Sequence, residues 1–600
     1  MIICAMKATV RHKLIDRVKK LEGLTDDERS ALLGLLRESK TYGLVWEDHT
    51  EEVEKRLSEE LPVLKEVKHR AIVSDNPDAP NHVLIEGDNL EALSTLAYTH
   101  ARRIDVIYID PPYNTGNKDF IYNDSYVDSE DDFRHSKWLS FMSKRLRLAK
   151  QLLSDRGVIF ISIDDNEQAN LKLLCDEIFG PAKFLGLITR LTGTTTGQDT
   201  GSLGKAADYI LCYSKNEGYQ IGGIPLTQED LNRYNMQDEK GNFSILQLRR
   251  TGGEDRREDR PTMFFPIIAP DGTEVYPYGP SGYESRWRVG PEKVKKMVAE
   301  NLLYFKKDKT GVWKVYYKFY AENKTKRPSN VWNEIDGNKK AQIELRNILG
   351  EKTFDTPKPL QLVCKILELT STKKSIVLDF FAGSGTTLHA VMKLNDEDGG
   401  RRQCILVTNN ENGICENVTY ERNRRVIEGY TKPNGEAVAG LKDNSLRYYT
   451  TDFISRSQSM RNMQRLAELS TDMLCIKENL YAEQPTMAGI KTHPRVYRYF
   501  DDGKKRMLII YREEYIEQIV KLIEKMRVEE PMRVYVFSPS DDPATDLFET
   551  VADKVVLTAL PAAIYNTYRR ILPKQADKVI AVTETQAEDD LGGLFKVDNQ

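Results

Sequence analysis

The chain has 600 residues, a net charge of -4, 40% hydrophobic and 30% charged residues. That is too much chain for one core, so three or four units are predicted with the composition of a soluble, cytoplasmic protein. No apolar run could span a bilayer, "MIICAMKATVRHKLIDRVKK" is a poor signal peptide, and seven scattered cysteines with no CxxC pair argue against disulfides and a zinc site.

Residues 1–70 set Leu, Ile and Val at helical spacing among charges, as in "ERSALLGLLRESK", which predicts an N-terminal helical segment. After the loop-forming "SDNPDAPN", strands and helices alternate over 71–215: "HVLIEGDNLEAL", "IDVIYI", "KWLSFMSKRLRLAKQLL", "GVIFISI" and "NEQANLKLLCDEIFG". Such alternation predicts an α/β fold with a parallel, doubly wound sheet. Beyond "ADYILCYSKNE" the rhythm breaks, and 216–340 reads as a large insertion rich in Gly, Pro, Tyr and paired basic residues. Alternation resumes over 341–454 with "KPLQLVCKILELT", "SIVLDFF", "AGSGTT" and "QCILVTN". Residues 455–600 read as a separate, smaller α/β domain built on "KRMLIIY", "MRVYVFS" and "DKVVLTAL".

Two motifs carry chemistry. Asp110-Pro111-Pro112-Tyr113 follows the apolar strand "VIYI", where open α/β sheets bind ligands. The prolines stiffen the turn and remove donors, leaving carbonyl acceptors. A carboxylate, a fixed carbonyl and an aromatic plate suit a planar ring bearing an NH2, with its hydrogens on Asp110 and the Pro111 carbonyl and its face on Tyr113. A capped, strand-ending turn is the plainer alternative. The second motif, "VLDFFAGSGTTLHAV", is strand, glycine turn and helix. Gly383 and Gly385 let a ligand approach amides at a helix N-terminus, and Asp379 with Phe381 flanks them. It is neither a P-loop nor a full GxGxxG, since Leu occupies position 388. An acid facing amide donors suits an amino acid moiety such as that of S-adenosylmethionine.

Within 303–327, eight Lys or Arg stand against two acids, interleaved with six Tyr or Phe and one Trp. This composition points to phosphate contact and base reading by Lys306, Lys307, Lys314, Lys318, Lys324, Lys326 and Arg327. A solvated hairpin is the alternative. "DDNE" (164–167) reads as an N-cap for the next helix rather than a metal cluster.

The order of the two motifs, with an insertion between them, resembles amino-methylating DNA methyltransferases of the beta arrangement. "YGLVWE", "IEGDNLEAL", "IYIDPPYNTGN", "FISIDDNE", "DTPKPLQL" and "ILVTNNENGICE" extend the resemblance to the modification subunit of type III restriction-modification systems. The resemblance implies a Rossmann-like fold whose catalytic half is 71–215, whose target-recognition insertion is 216–340 and whose cofactor half is 341–454. It implies that Asp110, Pro111, Pro112 and Tyr113 hold a flipped adenine. Asp379, Phe381, Ala382, Gly383, Ser384, Gly385 and Thr386 would cradle S-adenosylmethionine, Asp88 would meet its adenine, and Thr356 and Lys358 would close the pocket. The ribose-binding acid stays open among Asn409, Asn410 and Glu411. Double-stranded DNA, a second copy of the chain and a restriction subunit are the implied partners, with assembly through 455–600. N4-cytosine methylation and a recognition subunit lacking activity are the alternatives; Asp110, where Ser is commoner in N4 enzymes, favours adenine.

Overall fold

The computed structural model describes residues 17–18, 46–116, 119–123, 125–128, 130–193, 206–322 and 324–572. The predicted helical run "ERSALLGLLRESK" lies outside them. Two compact units emerge, one from the residues up to 220 together with those from 330 onward, the other Ile221–Ser329.

The first unit is built on a ten-stranded sheet. Its strands are β1 (Glu60–Glu66), β2 (Asn81–Glu86), β3 (Ile104–Ile109), β4 (Leu153–Ile163), β5 (Phe184–Leu191), β6 (Ala207–Ser214), β7 (Val331–Trp332), β8 (Ile376–Asp379), β9 (Gln403–Thr408) and β10 (Ser445–Ser455). Their order across the sheet is β1-β10-β2-β9-β8-β3-β4-β6-β5-β7. The six strands from β10 to β4 run parallel, with β1 and β6 antiparallel to their neighbours. The central strands read as almost unbroken apolar runs because both faces are covered: β3 and β4 bury Val106, Ile107, Ile109, Ile159 and Ile161 completely. The covering helices are α1 (Asn89–Thr99), α2 (Arg134–Leu152), α3 (Gln168–Phe179), α4 (Leu360–Thr370) and α5 (Thr386–Asp398). Helix α2 packs against α1 and α3, and α4 against α5. Strand β8 enters between β9 and β3, so the order of the strands reverses at the β8–β3 boundary, where such sheets open a crevice at their carboxyl ends.

Two edges differ from the sequence reading. Glu60–Glu66 is an edge strand, not helix, and its Pro62 is tolerated because only one side pairs. Strand β10, "SLRYYTTDFIS", extends the sheet where no strand was predicted; its Thr- and Asp-rich second half hides the pattern. Beyond it, Glu483–Gln484, Tyr497–Asp501, Arg506–Ile510, Met532–Phe537 and Val555–Leu560 form a five-stranded sheet. This tail does not stand apart as the sequence suggested. Its Tyr568 hydroxyl donates to Pro62 O at 2.6 Å, Asp472 accepts from Glu66 N at 2.9 Å, and both sheets feed one apolar core.

The second unit holds an antiparallel sheet in the order Met236–Asp238, Gly241–Gln247, Trp313–Tyr320, Leu303–Lys307. Leu248, Ile267, Trp287, Val294, Leu303 and Val315 form its core. It ends earlier than the predicted 340, because Val331–Trp332 already pairs with β5 in the main sheet.

Candidate functional site

Asp110 stands directly after β3, and the loop it opens is fixed from several sides. Trp138 of α2, fully buried, donates its indole N–H to the Pro112 carbonyl at 2.8 Å. Asn114, also buried, takes the left-handed conformation at φ +58°. Its amide donates to Glu167 Oε1 at 2.6 Å and to Arg134 O at 3.2 Å. Glu167 in turn lies 2.6 Å from His135 Nδ1 and accepts from Asn170 at 2.8 Å. This corrects the capping expectation for residues 164–167: α3 has no side-chain cap, Asp164 accepts from the Asn166 backbone and side chain, and Glu167 braces the loop instead. Among the described residues the Pro111 carbonyl accepts no hydrogen bond, so it remains available.

Asp110 and Tyr113 meet a third group. The Lys358 ammonium lies 3.0 Å from Asp110 Oδ1 and donates to the Tyr113 hydroxyl at 2.7 Å. Burial pushes the Asp110 carboxyl above its ordinary range, Lys358 pulls it back, and neighbouring Asp208 pushes it up again. Burial and the Asp110 charge together push Tyr113 well up. Thr356, by contrast, is exposed on the same loop and takes no part in this cluster.

The glycine turn follows β8. Asp379 is buried, its Oδ1 accepting from Phe381 N at 3.0 Å and its Oδ2 from the Thr387 hydroxyl at 2.6 Å. Burial pushes its carboxyl up to about 7. Both oxygens are thus tied in, one to the turn and one to α5, and at 3% exposure Asp379 turns little surface towards a ligand. Gly383 sits at φ +48° and a Cβ there would make only ordinary contacts, the nearest Phe354 at 3.5 Å. Gly385 sits at φ +73°, and a Cβ there would run into the Asn423 side chain and lie 3.1 Å from Thr419 Cγ2. Packing against 414–428 and the positive φ therefore each favour glycine at 385. The Ala382 and Gly385 amides donate to Val407 O and Ala382 O, while those of Gly383 and Ser384 have no acceptor among the described residues.

Beneath the turn lies a residue that no local motif revealed. Arg422, 1% exposed, donates to Thr386 Oγ1 at 2.7 Å and to Ser384 Oγ at 3.2 Å, and makes no ion pair among the described residues. A second buried arginine, Arg190, is paired, gripping Asp208 at 2.9 and 2.5 Å. Arg190 ends β5 and Asp208 begins antiparallel β6, so both stand at the same sheet edge as Asp110. Asp88, after β2, caps α1 by accepting from Leu90 N at 2.6 Å, and its other oxygen lies 3.4 Å from Arg145. Asn410 accepts from Glu416 N at 3.2 Å, which ties it into the following turn.

In the second unit the predicted basic residues divide. Lys318 is held by Asp238 at 2.7 Å and Lys326 by Asp230 at 2.5 Å. Lys307 and Lys314 lie 3.5 Å from Asp271 and Asp308. Lys306, Lys324 and Arg327 are exposed and make no ion pair among the described residues, and Lys306 stands directly across the ladder from Lys314. Lys318, whose side chain is 9% exposed, is thus tied into the sheet, whereas Lys326 keeps 40% of its side chain exposed beside Asp230.

A doubly wound α/β sheet carries an Asp-Pro-Pro-Tyr loop and a glycine turn on neighbouring strand ends, the edge at which such sheets place their ligand sites. The chain belongs to the DNA methylase family of N6 and N4 methyltransferases, whose model matches residues 104–432. It is 33% identical over 401 residues to the type III restriction-modification enzyme EcoPI Mod subunit of Escherichia phage P1, covering 59% of this chain and 62% of that one. It is 37% identical over 372 residues to the StyLTI Mod subunit of Salmonella typhimurium, covering 58% and 55%. It is 35% identical over 405 residues to the type II methyltransferase M.KpnI of Klebsiella pneumoniae, covering 64% and 94%. The matches thus span about three fifths of the length of the two Mod subunits.

Proposed function

We propose that the chain is a site-specific DNA methyltransferase that moves a methyl group from S-adenosylmethionine to the exocyclic N6 amine of a flipped-out adenine. The observation that carries this reading is the placement of Asp110–Tyr113 and the glycine turn at the ends of β3 and β8, which pair side by side. The turn fits the cofactor. Amides at Gly383 and Ser384 without an acceptor among the described residues lie just before a thirteen-residue helix and suit its carboxylate. The buried Arg422 guanidinium below adds positive charge, and half-buried Phe381 offers an apolar wall.

When bound, S-adenosylmethionine supplies a methyl group already activated by its sulfonium charge. What the chain must add is orientation. An amine within duplex DNA is out of reach, so the base is extruded at an expense of a few kcal/mol. Tyr113 offers a stacking surface that offsets about 1–3 kcal/mol of this. Asp110 and the Pro111 carbonyl each accept one amine hydrogen, which draws the nitrogen lone pair out of conjugation and towards the methyl. Trp138 and Asn114 hold those acceptors in place.

The same reading makes the chain the modification subunit of a type III restriction-modification system, acting on double-stranded DNA as a homodimer beside a restriction subunit. Its support is the likeness to two Mod subunits over about three fifths of their length. The insertion, whose described core is Ile221–Ser329, selects the sequence, and residues 455–572 serve assembly. Incubation with methyl-labelled S-adenosylmethionine and unmethylated genomic DNA, followed by nucleoside analysis, tests the reading. N6-methyladenine is the expected product; N4-methylcytosine or no product overturns it.

A further inference from the structure

We propose that Lys358 is a positioning residue of the base socket, clamping the Asp110 carboxylate to the Tyr113 ring so that acceptor and stacking plate move as one. The inference rests on the methyl-transfer reading and goes beyond it, because the family resemblance places Lys358 in the cofactor pocket.

The geometry supports the clamp. Lys358 is buried on the loop before α4, far in sequence from β3, yet its ammonium touches both members of the Asp-Pro-Pro-Tyr motif, at 3.0 and 2.7 Å. Asp110 Oδ1, the oxygen it faces, is shut off from solvent, and the Tyr113 hydroxyl also hydrogen-bonds the carboxylate, whereas a quarter of the side chain stays exposed. With Oδ1 covered, Oδ2 is the oxygen assigned to the amine. Lys358 does not compete with substrate for that oxygen. It anchors the opposite side of the carboxylate and fixes its rotation, while the bond to the Tyr113 hydroxyl sets the ring at a constant distance from it.

The surroundings explain why a cation is needed. Asp110 is faced by Tyr108 and Tyr113, by Asp208 on β6 and by Asp379 on β8, with Arg190 already engaged by Asp208. Burial and two neighbouring acids all favour the protonated acid, which could accept only weakly at the amine. Lys358 offsets them at Asp110 itself, helped by the hydrogen bond from Tyr113. Activity should then fall as pH drops through the Asp110 pKa, and removing the Lys358 charge should move that fall to higher pH.

The test compares the full-length wild type with Lys358→Gln, Lys358→Arg and Tyr113→Phe, using methyl-labelled S-adenosylmethionine and unmethylated genomic DNA across the pH range. Lys358→Gln should lower kcat by about tenfold or more and raise the acid limb of the kcat profile by roughly one pH unit. Its affinity for S-adenosylmethionine should stay within about threefold of wild type, against the tenfold that 1.4 kcal/mol would give. Lys358→Arg should return the limb towards wild type, and Tyr113→Phe should lower kcat with a smaller limb shift. A limb that moves in neither Lys358→Gln nor Tyr113→Phe overturns the proposal, as does a tenfold loss of S-adenosylmethionine affinity with kcat retained. Should Lys358→Gln fail to fold, Lys358→Arg and Tyr113→Phe still decide it through the same limb. A wild-type chain that methylates no base overturns the underlying function instead.

Discussion

The indole N–H of Trp138 donates to the Pro112 carbonyl at 2.8 Å from a helix that buries the ring completely. That bond reaches across 26 residues of chain and lies one residue from the carbonyl proposed to hold the target amine. Trp138→Phe keeps most of the packing and deletes the donor. It should cost about 1–3 kcal/mol of stability, since the buried carbonyl loses its partner. In single-turnover methylation it should be slower by roughly an order of magnitude, as misplaced groups are. Cofactor affinity, measured by titration calorimetry, should be unchanged, because the glycine turn is untouched.

The two glycines of the turn should behave differently. Gly383→Ala meets no overlap and carries only left-handed strain, about 1–2 kcal/mol. Gly385→Ala carries the same strain and also overlaps Asn423, adding about 1–3 kcal/mol. Thermal melts should rank wild type above Gly383→Ala above Gly385→Ala. The pair Gly385→Ala with Asn423→Ala should recover part of the second loss, because the overlapping side chain is gone. Cofactor binding should suffer more from a bulky residue at 383 than at 385 in whatever fraction remains folded.

These contrasts show what local sequence carries and what it does not. The Asp-Pro-Pro-Tyr loop and the glycine turn were legible because their conformations are written in adjacent residues: two prolines in one, two positive-φ glycines in the other. The parallel order was legible from the apolar runs of β3, β4 and β9. Their braces were not. Trp138, Glu167, Arg422 and the Arg190–Asp208 pair act across tens of residues and carry no local signature. Asp379 looked like a ligand acid because its partner, Thr387, is one turn further on and reads as ordinary helix. Strand β10 was hidden by the Thr- and Asp-rich half of an outer strand, and Lys318 looked free because Asp238 lies in another strand of its sheet.

The basic residues of the insertion should separate by salt dependence. Replacing Lys306, Lys324 or Arg327 with Ala should each reduce the slope of log K against log salt for DNA binding by about 0.9 if it neutralises one phosphate. All sequences should be weakened alike, because phosphate contacts carry no base information. Lys318→Ala should leave that slope unchanged and lower the melting temperature of the insertion, since its ammonium is already paired with Asp238 and Tyr320 shares the same oxygen. A slope that falls equally in Lys318→Ala would return Lys318 to the DNA-contacting set.

The buried carboxyl of Asp379 should leave a mark on stability as a function of pH. Burial raises its pKa from 3.8 to about 7 in the folded chain, while the unfolded chain keeps the ordinary value. Between those two values the folded protein holds a proton that the unfolded one has released. Stability therefore declines as pH rises from about 4 to about 7, and it levels off above, where both states are ionised. The total change is on the order of 4 kcal/mol. Asp379→Asn removes the titration yet keeps the local bonds, because its carbonyl can still accept from Phe381 N and its amide can donate to the Thr387 hydroxyl. The variant should thus gain on the wild type as pH rises through this window. Thermal midpoints of both proteins from pH 4.5 to 8, without cofactor or DNA, measure the gap. A gap that grows with pH and then flattens near 7 supports a protonated Asp379 serving the fold. A gap that stays constant would mean that Asp379 is ionised throughout, and would restore it as an acid able to meet a cationic ligand.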